Sequence, residues 1–121
     1  LSAKLLAFVG SPRKGGNTDV LVDQAIDAFR EAGGETEKVF LSSLDIHPCQ
    51  GCGACSRADG LDSVCAQQDD MSELYQKMIS ADALLWATPI YMWSPTAQMK
   101  LFLDRLHPFG DYQHTRWQSA L

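Results

Sequence analysis

Long apolar runs are missing from this chain of 121 residues. None approaches the roughly 18 consecutive apolar residues that a membrane helix needs, so no membrane role is expected. An excess of basic charge is missing as well. Ten Lys and Arg stand against fifteen Asp and Glu, for a formal net charge of −5, so no nucleic-acid partner is expected. The stretch Leu1 to Gly10 is too short and wrongly flanked for a secretory signal. Internal repeats and low-complexity linkers are absent too. Cysteine is sparse, at four residues. With no export signal, these four argue against a disulfide framework and for metal or redox chemistry in a cytoplasmic setting.

What is present is enough for one domain with a buried core. Hydrophobic residues make up 45% of the chain and charged residues 21%, a composition that folds, and the length suits a single unit over 1–121. The charge is unevenly placed. Residues 1–18 carry Lys4, Arg13 and Lys14 and no acid, whereas residues 61–73 carry Asp62, Asp69, Asp70 and Glu73 and no base. A local positive patch on an acidic chain points to an anion site.

Leu5-Leu6-Ala7-Phe8-Val9 is a continuous apolar run ended by Gly10-Ser11-Pro12, which predicts a strand buried on both faces. A helix is predicted over Thr18–Ala32, with Leu21, Val22, Ala25, Ile26 and Phe29 at helical spacing, Asn17 or Thr18 as its cap, and Gly33-Gly34 as its stop. Glu37–Leu41 is a second predicted strand. A cysteine-rich loop spans 47–66. Asp70-Met71-Ser72-Glu73 resembles a capping box and opens a helix with Met71, Leu74, Tyr75, Met78 and Ile79 on one face. Ala83–Ala87 is a third apolar strand. The loop Thr88–Trp93 follows, and then Ser94-Pro95 as N-cap and first residue of a helix to Leu106. This alternation predicts an α/β fold with a doubly wound parallel sheet. With strand one between the other two, the loops at 10–18 and 88–94 face one crevice. The third strand is then an edge without charge or proline, and no clear strand follows Leu106. The domain is therefore expected to be incomplete, with the missing edge supplied by further chain or by a partner.

The segment Gly10-Ser11-Pro12-Arg13-Lys14-Gly15-Gly16-Asn17-Thr18 combines hydroxyls, cations, pliant backbone and a helix start. These features together predict a phosphate site. Gly16-Asn17 stands where a Walker A loop needs Lys and then Ser or Thr, and strand three ends without a magnesium-binding Asp. Pro12 occupies the second glycine position of the dinucleotide fingerprint. A single terminal phosphate suits the loop better than a pyrophosphate.

That loop, Cys49-x2-Cys52-x2-Cys55, Asp69-Asp70-Met71, and Thr88-Pro89-Ile90-Tyr91 followed by Lys100 and Asp104-Arg105 together resemble the flavodoxin-like NAD(P)H-dependent FMN reductase family, and within it the iron–sulfur flavoproteins. The resemblance covers nearly the whole chain. It implies a flavodoxin-like sheet of strand order 2-1-3-4-5, of which this sequence carries the first three strands. It also implies that Ser11, Arg13, Asn17 and Thr18 hold the FMN phosphate. Pro89, Ile90, Tyr91, Met92 and Trp93 then line the flavin ring, with Trp93 stacking on it or shielding it. Lys14 contributes field, and Trp86, on the strand, is expected in the core.

Cys49, Cys52 and Cys55 can aim at one point, and Cys65 follows after nine residues. Four thiolates suit a [4Fe-4S] cluster, while zinc and free or redox-active thiols remain alternatives. The family pattern has a shorter last gap. His47 is expected on the surface, although a His–Cys metal site is conceivable. Lys100 and Asp104 are expected to pair, and Arg105 to serve a subunit interface.

The function so implied is an FMN-dependent oxidoreductase: NAD(P)H reduces the flavin, which passes electrons to a small-molecule or protein acceptor, with a cluster as one-electron partner. A homo-oligomer is expected. Two rivals are a non-enzymatic flavodoxin-type electron carrier and a metal-binding or thiol redox-sensing module without flavin.

Overall fold

A computed structural model describes residues 2–57 and 65–109. Asp62 and the middle of the cysteine-rich loop, 58–64, fall outside the described residues, as does the stretch after 109.

Strand β1 (Lys4–Val9) is the middle of a parallel sheet whose order is β2-β1-β3. It pairs with β2 (Glu35–Phe40) from Lys4↔Glu35 to Val9↔Phe40, and with β3 (Ala83–Ala87) from Leu5↔Ala83 to Val9↔Ala87. The apolar run of β1 is explained by its two covered faces. Side chains alternate along a strand, so Leu6 and Phe8 enter one core and Ala7 and Val9 the other. The expected placement of strand one between its neighbours holds, and among the described residues the outer edge of β3 is bare.

Helix α1 (Asn17–Glu31) covers the Ala7/Val9 face through Val22 and Ile26. Leu21, at 70% exposure, and Ala25 face outward, so the buried stripe is narrower than the spacing suggested. One i, i+4 ridge suffices to cover the small side chains opposite. The helix closes as a Schellman turn, Gly33 N–H bonding to Arg30 O and Gly34 N–H to Phe29 O.

The other face holds the larger core. After β2 comes a 3-10 turn (Leu41–Ser43), then the cysteine segment with a single helical turn α2 (Ala54–Arg57), then α3 (Met71–Ser80). Met71, Leu74, Tyr75 and Met78 of α3 are buried, as predicted. Asp70 does not cap α3 with its side chain; it accepts from Asp45 N–H, while Asp69 accepts from Met71 N–H. A short hairpin, β4 (Ile90–Tyr91) and β5 (Ser94–Pro95), interrupts the loop after β3. Ser94 and Pro95 thus belong to a strand. Thr96 is the cap of α4 (Ala97–Asp104), accepting from Met99 N–H.

Phe102 of α4 is fully buried and packs on Phe8, with ring centroids 4.5 Å apart. Trp86 sits edge-on to Phe102 at 6.5 Å but is 46% exposed, contrary to the core placement expected for it. It lies opposite Phe8 in the register, on the same face, yet on an edge strand its outer side meets no described neighbour. Replacing Phe102 by Ala removes a ring that both other aromatics touch. The expected loss is about 3–5 kcal/mol, read as a fall in the urea midpoint, with Phe102→Leu costing clearly less.

Candidate functional site

The two loops that leave the carboxyl ends of β1 and β3 are tied directly to each other. Gly10 N–H donates to Ala87 O at 2.7 Å. The buried Thr96 hydroxyl donates to Gly10 O at 2.6 Å, and Thr96 N–H donates to the Thr88 hydroxyl at 3.2 Å. A side chain at Gly10 would press on Met99 at 3.0 Å and Thr88 at 3.2 Å, so a larger residue would push these neighbours back by a few tenths of an ångström. The crevice expected from topology is thus closed at its base by hydrogen bonds.

On one side lies the loop 10–16. Ser11 is buried, and its hydroxyl accepts from Arg13 N–H at 3.1 Å. Arg13 and Asn17 are exposed and Thr18 is half-buried. Neither Asn17 nor Thr18 caps α1. The cap position is Gly16, which has no side chain to offer, so the first-turn N–H groups carry no side-chain acceptor. An uncapped helix start beside a hydroxyl and a guanidinium suits an anion. Lys14 stands over the Phe40 ring, 5.2 Å from its centroid, which accounts for it without a ligand.

Asp19, unremarked in the sequence, shapes this loop. Its buried carboxylate accepts from Gly15 N–H at 2.8 Å and from Lys38 at 2.7 Å. Gly15 there has φ +78°, a left-handed conformation natural to glycine. The Lys38 bond, aided by Gly15 N–H, holds the Asp19 carboxyl below its ordinary pKa. Lys38 also bonds Asp23 at 2.6 Å. The acid therefore comes with its own counter-charge and leaves the Arg13 side of the loop positive.

On the other side, Pro89 precedes the hairpin whose two-residue turn is Met92-Trp93. Both have positive φ, 46° and 65°, as a type I′ turn requires. Neither is glycine, and such residues cost about 1–3 kcal/mol each. Ile90 is 78% exposed, Met92 88% and Trp93 95%. With half-exposed Tyr91 they form an apolar wall that the described residues leave bare.

A third feature lies at the far end of α4. Cys49, Cys52, Cys55 and Cys65 all line one cavity of about 260 Å³, with Gln50, Gln67, Tyr75, Arg105 and His107 among its other walls. No disulfide joins them. Among the described residues no three His, Cys, Asp or Glu side chains converge tightly enough for a single ion. His47 is exposed, as expected, with Asp45 at 3.3 Å. His107 meets Ser56 of α2 at 3.4 Å.

Arg105 is not on the surface as expected; it is 2% exposed. Nη1 donates to Asp69 at 2.5 Å and to His47 O at 2.7 Å. Nη2 donates to Asp69 at 3.2 Å and to Cys65 Sγ at 3.5 Å. Burial works against both charges. Hydrogen bonds from Arg105 and from the backbone N–H groups of His47 and Met71 nevertheless leave the Asp69 carboxyl below its usual range, and the Asp69 bond leaves Arg105 above its own. Tyr75 donates to Arg105 O at 2.6 Å, and burial pushes its phenol pKa up, keeping the proton that this bond uses. Lys100 and Asp104 pair as predicted.

A family model described as NADPH-dependent FMN reductase matches residues 3–120. An iron-sulfur flavoprotein of Archaeoglobus fulgidus is 44% identical over 107 residues, covering 88% of this chain and 47% of that one. An iron-sulfur flavoprotein of Methanosarcina thermophila is 41% identical, covering 84% of this chain and 51% of its own. The chain thus spans about half the length of these curated relatives. Among solved structures, RosB with bound 8-demethyl-8-formylriboflavin-5'-phosphate superposes with a TM-score of 0.69 at 25% identity, over 88% of this chain and 42% of that one. The three-stranded sheet is the flavodoxin-like arrangement of such proteins.

The Asp69 pair makes stability depend on acid. The unfolded carboxyl takes up its proton near pH 4, whereas the folded one resists until lower pH. The pair's stabilisation is therefore complete above that point and is lost as pH falls through the lowered folded value. Urea midpoints measured from pH 6 to pH 2 should fall below about pH 4, and Asp69→Asn should flatten its share of that fall.

Proposed function

The chain belongs to the NADPH-dependent FMN reductase family, and from that premise we propose that it binds FMN across the crevice between the 10–18 loop and the β4–β5 hairpin. The observation that carries this reading is the Thr96–Gly10–Ala87 hydrogen-bonded base, which sets an uncapped helix start beside an exposed apolar wall. Ser11, Arg13, Asn17 and Thr18 hold the phosphate in this reading. Pro89, Ile90, Tyr91, Met92 and Trp93 face the ring, and burial of that wall offsets the strain in the Met92-Trp93 turn. Bound FMN supplies the two-electron and one-electron chemistry, with NAD(P)H as donor and a small-molecule or protein acceptor.

Cys49, Cys52, Cys55 and Cys65 hold an iron–sulfur cluster in the same proposal. Its support is their shared cavity, the buried cation beside Cys65 and the similarity to two iron-sulfur flavoproteins. A homo-oligomer belongs to the proposal as well, supported by the apolar hairpin tip. The domain over 1–121 supplies both cofactor sites.

Arg13→Ala should weaken FMN binding about 10- to 100-fold, the worth of a charge-assisted hydrogen bond, by fluorescence titration. Unchanged affinity would remove Arg13 from the phosphate site. Protein purified without oxygen should carry flavin bands, an iron–sulfur shoulder and about four irons per cluster. Flavin without iron would leave a cluster-free reductase. Flavin that NAD(P)H fails to reduce would favour the electron carrier, and iron or reactive thiols without flavin would favour the sensing module.

A further inference from the structure

Arg105 is spent on more than one ion pair. Its side chain is 1% exposed, and its three nitrogens differ in use. Nη1 reaches His47 O, just before Cys49, and Asp69 beyond Cys65. Both ends of the cysteine segment are thus gathered on one guanidinium. Nη2 touches the sulfur of Cys65. Nε is buried with no partner among the described residues, in a side chain that lines the cysteine cavity. A buried donor left without an acceptor costs about 1–3 kcal/mol.

We propose that Arg105 is the positioning residue of the cysteine cavity. In this role it donates to the Cys65 sulfur and raises the reduction potential of the group the four thiols bind. The inference rests on the cluster reading above and deepens it. Thiolates gathered around iron and sulfide carry net negative charge, and each added electron increases it. A fixed cation and N–H···S bonds stabilise the reduced form, two of the levers that set cluster potentials. Arginine suits this task because its charge is permanent and its planar fork can serve a carboxylate, a carbonyl and a sulfur at once. Asp69 holds the fork and partly compensates its charge, and the end that touches the sulfur is the cation. Removing either member should therefore shift the potential in opposite directions. Loss of the fork lowers it, and loss of the counter-charge raises it.

The test measures iron content, cluster midpoint potential and urea midpoint on anaerobically reconstituted protein, for wild type, Arg105→Lys and Asp69→Asn. Lysine keeps the charge but cannot reach all three acceptors. Arg105→Lys should lower the potential by about a tenfold change in the reduction equilibrium, which is about 59 mV for one electron. Asp69→Asn should raise it. Opposite shifts in iron-loaded proteins establish the role, because a merely structural pair would move stability and leave the potentials alone. Equal potentials, or shifts of the same sign, overturn the role of Arg105 and leave the cluster reading standing. Wild-type protein that takes up no iron fails the cluster reading itself, and the role of Arg105 falls with it. Should Arg105→Lys not fold, Arg105→Gln carries the same test: a lowered potential supports the role, and an unchanged or raised one overturns it.

Discussion

The carboxylate of Asp69 gathers donors from three separate stretches of chain. Arg105 arrives from the end of α4, His47 N–H from the start of the cysteine segment, and Met71 N–H from the first turn of α3. Each is buried or bonded only because the others are. A charge buried alone would cost several kcal/mol, and deleting one member of such a pair typically costs about 3–5. A well-packed apolar substitute could be as stable. What it could not do is hold the ends of a glycine-rich, poorly packed segment together while presenting a cation to a sulfur. The larger core beneath, from Tyr75 to Phe102, is the floor on which this knot sits.

The same economy of contact governs the crevice. No large side chain separates the two loops at its base; Gly10 lets the backbones touch, and Thr96 joins them with one hydroxyl. The hairpin above it is the reverse case, with bulky apolar residues held in positive φ and turned outward. A fold that buried those residues internally would relax the turn and lose the wall. The conformational cost and the exposed apolar surface are both consistent with a site completed by something flat and apolar.

Much of this was legible in the sequence. The apolar strands, a helix after the glycine-rich loop and the buried face of α3 follow from local periodicity and punctuation, and the strand order around β1 follows from the family resemblance. The glycine-rich loop after β1 and the cysteine spacing are equally local. What escaped was non-local. Asp19 looks like a first-turn acid until Lys38 is brought to it from β2. Arg105 looks like a surface charge until Asp69, 36 positions away, is folded against it. Trp86 looks like core because its neighbours in sequence are apolar, yet exposure on an edge strand depends on what lies beyond it. The cap of α4 fell at Thr96 because Ser94 and Pro95 were claimed by a hairpin too short to announce itself. A buried, paired polar residue gives no sequence signal without its partner.

Helix α4 begins at Thr96, on the floor of the crevice, and hands over at Arg105 in the wall of the cysteine cavity. An α-helix rises about 1.5 Å per residue, so the two sites are spaced by a rod of about 13 Å. That rod is a ruler. The cysteine segment can lengthen or shorten between its cysteines without altering the span, because the span is written in helical turns elsewhere. Inserting or deleting a single residue within α4 would be another matter. It would swing Arg105 by about 100° around the axis, pull the guanidinium off Asp69 and Cys65, and leave the crevice at the Thr96 end in place.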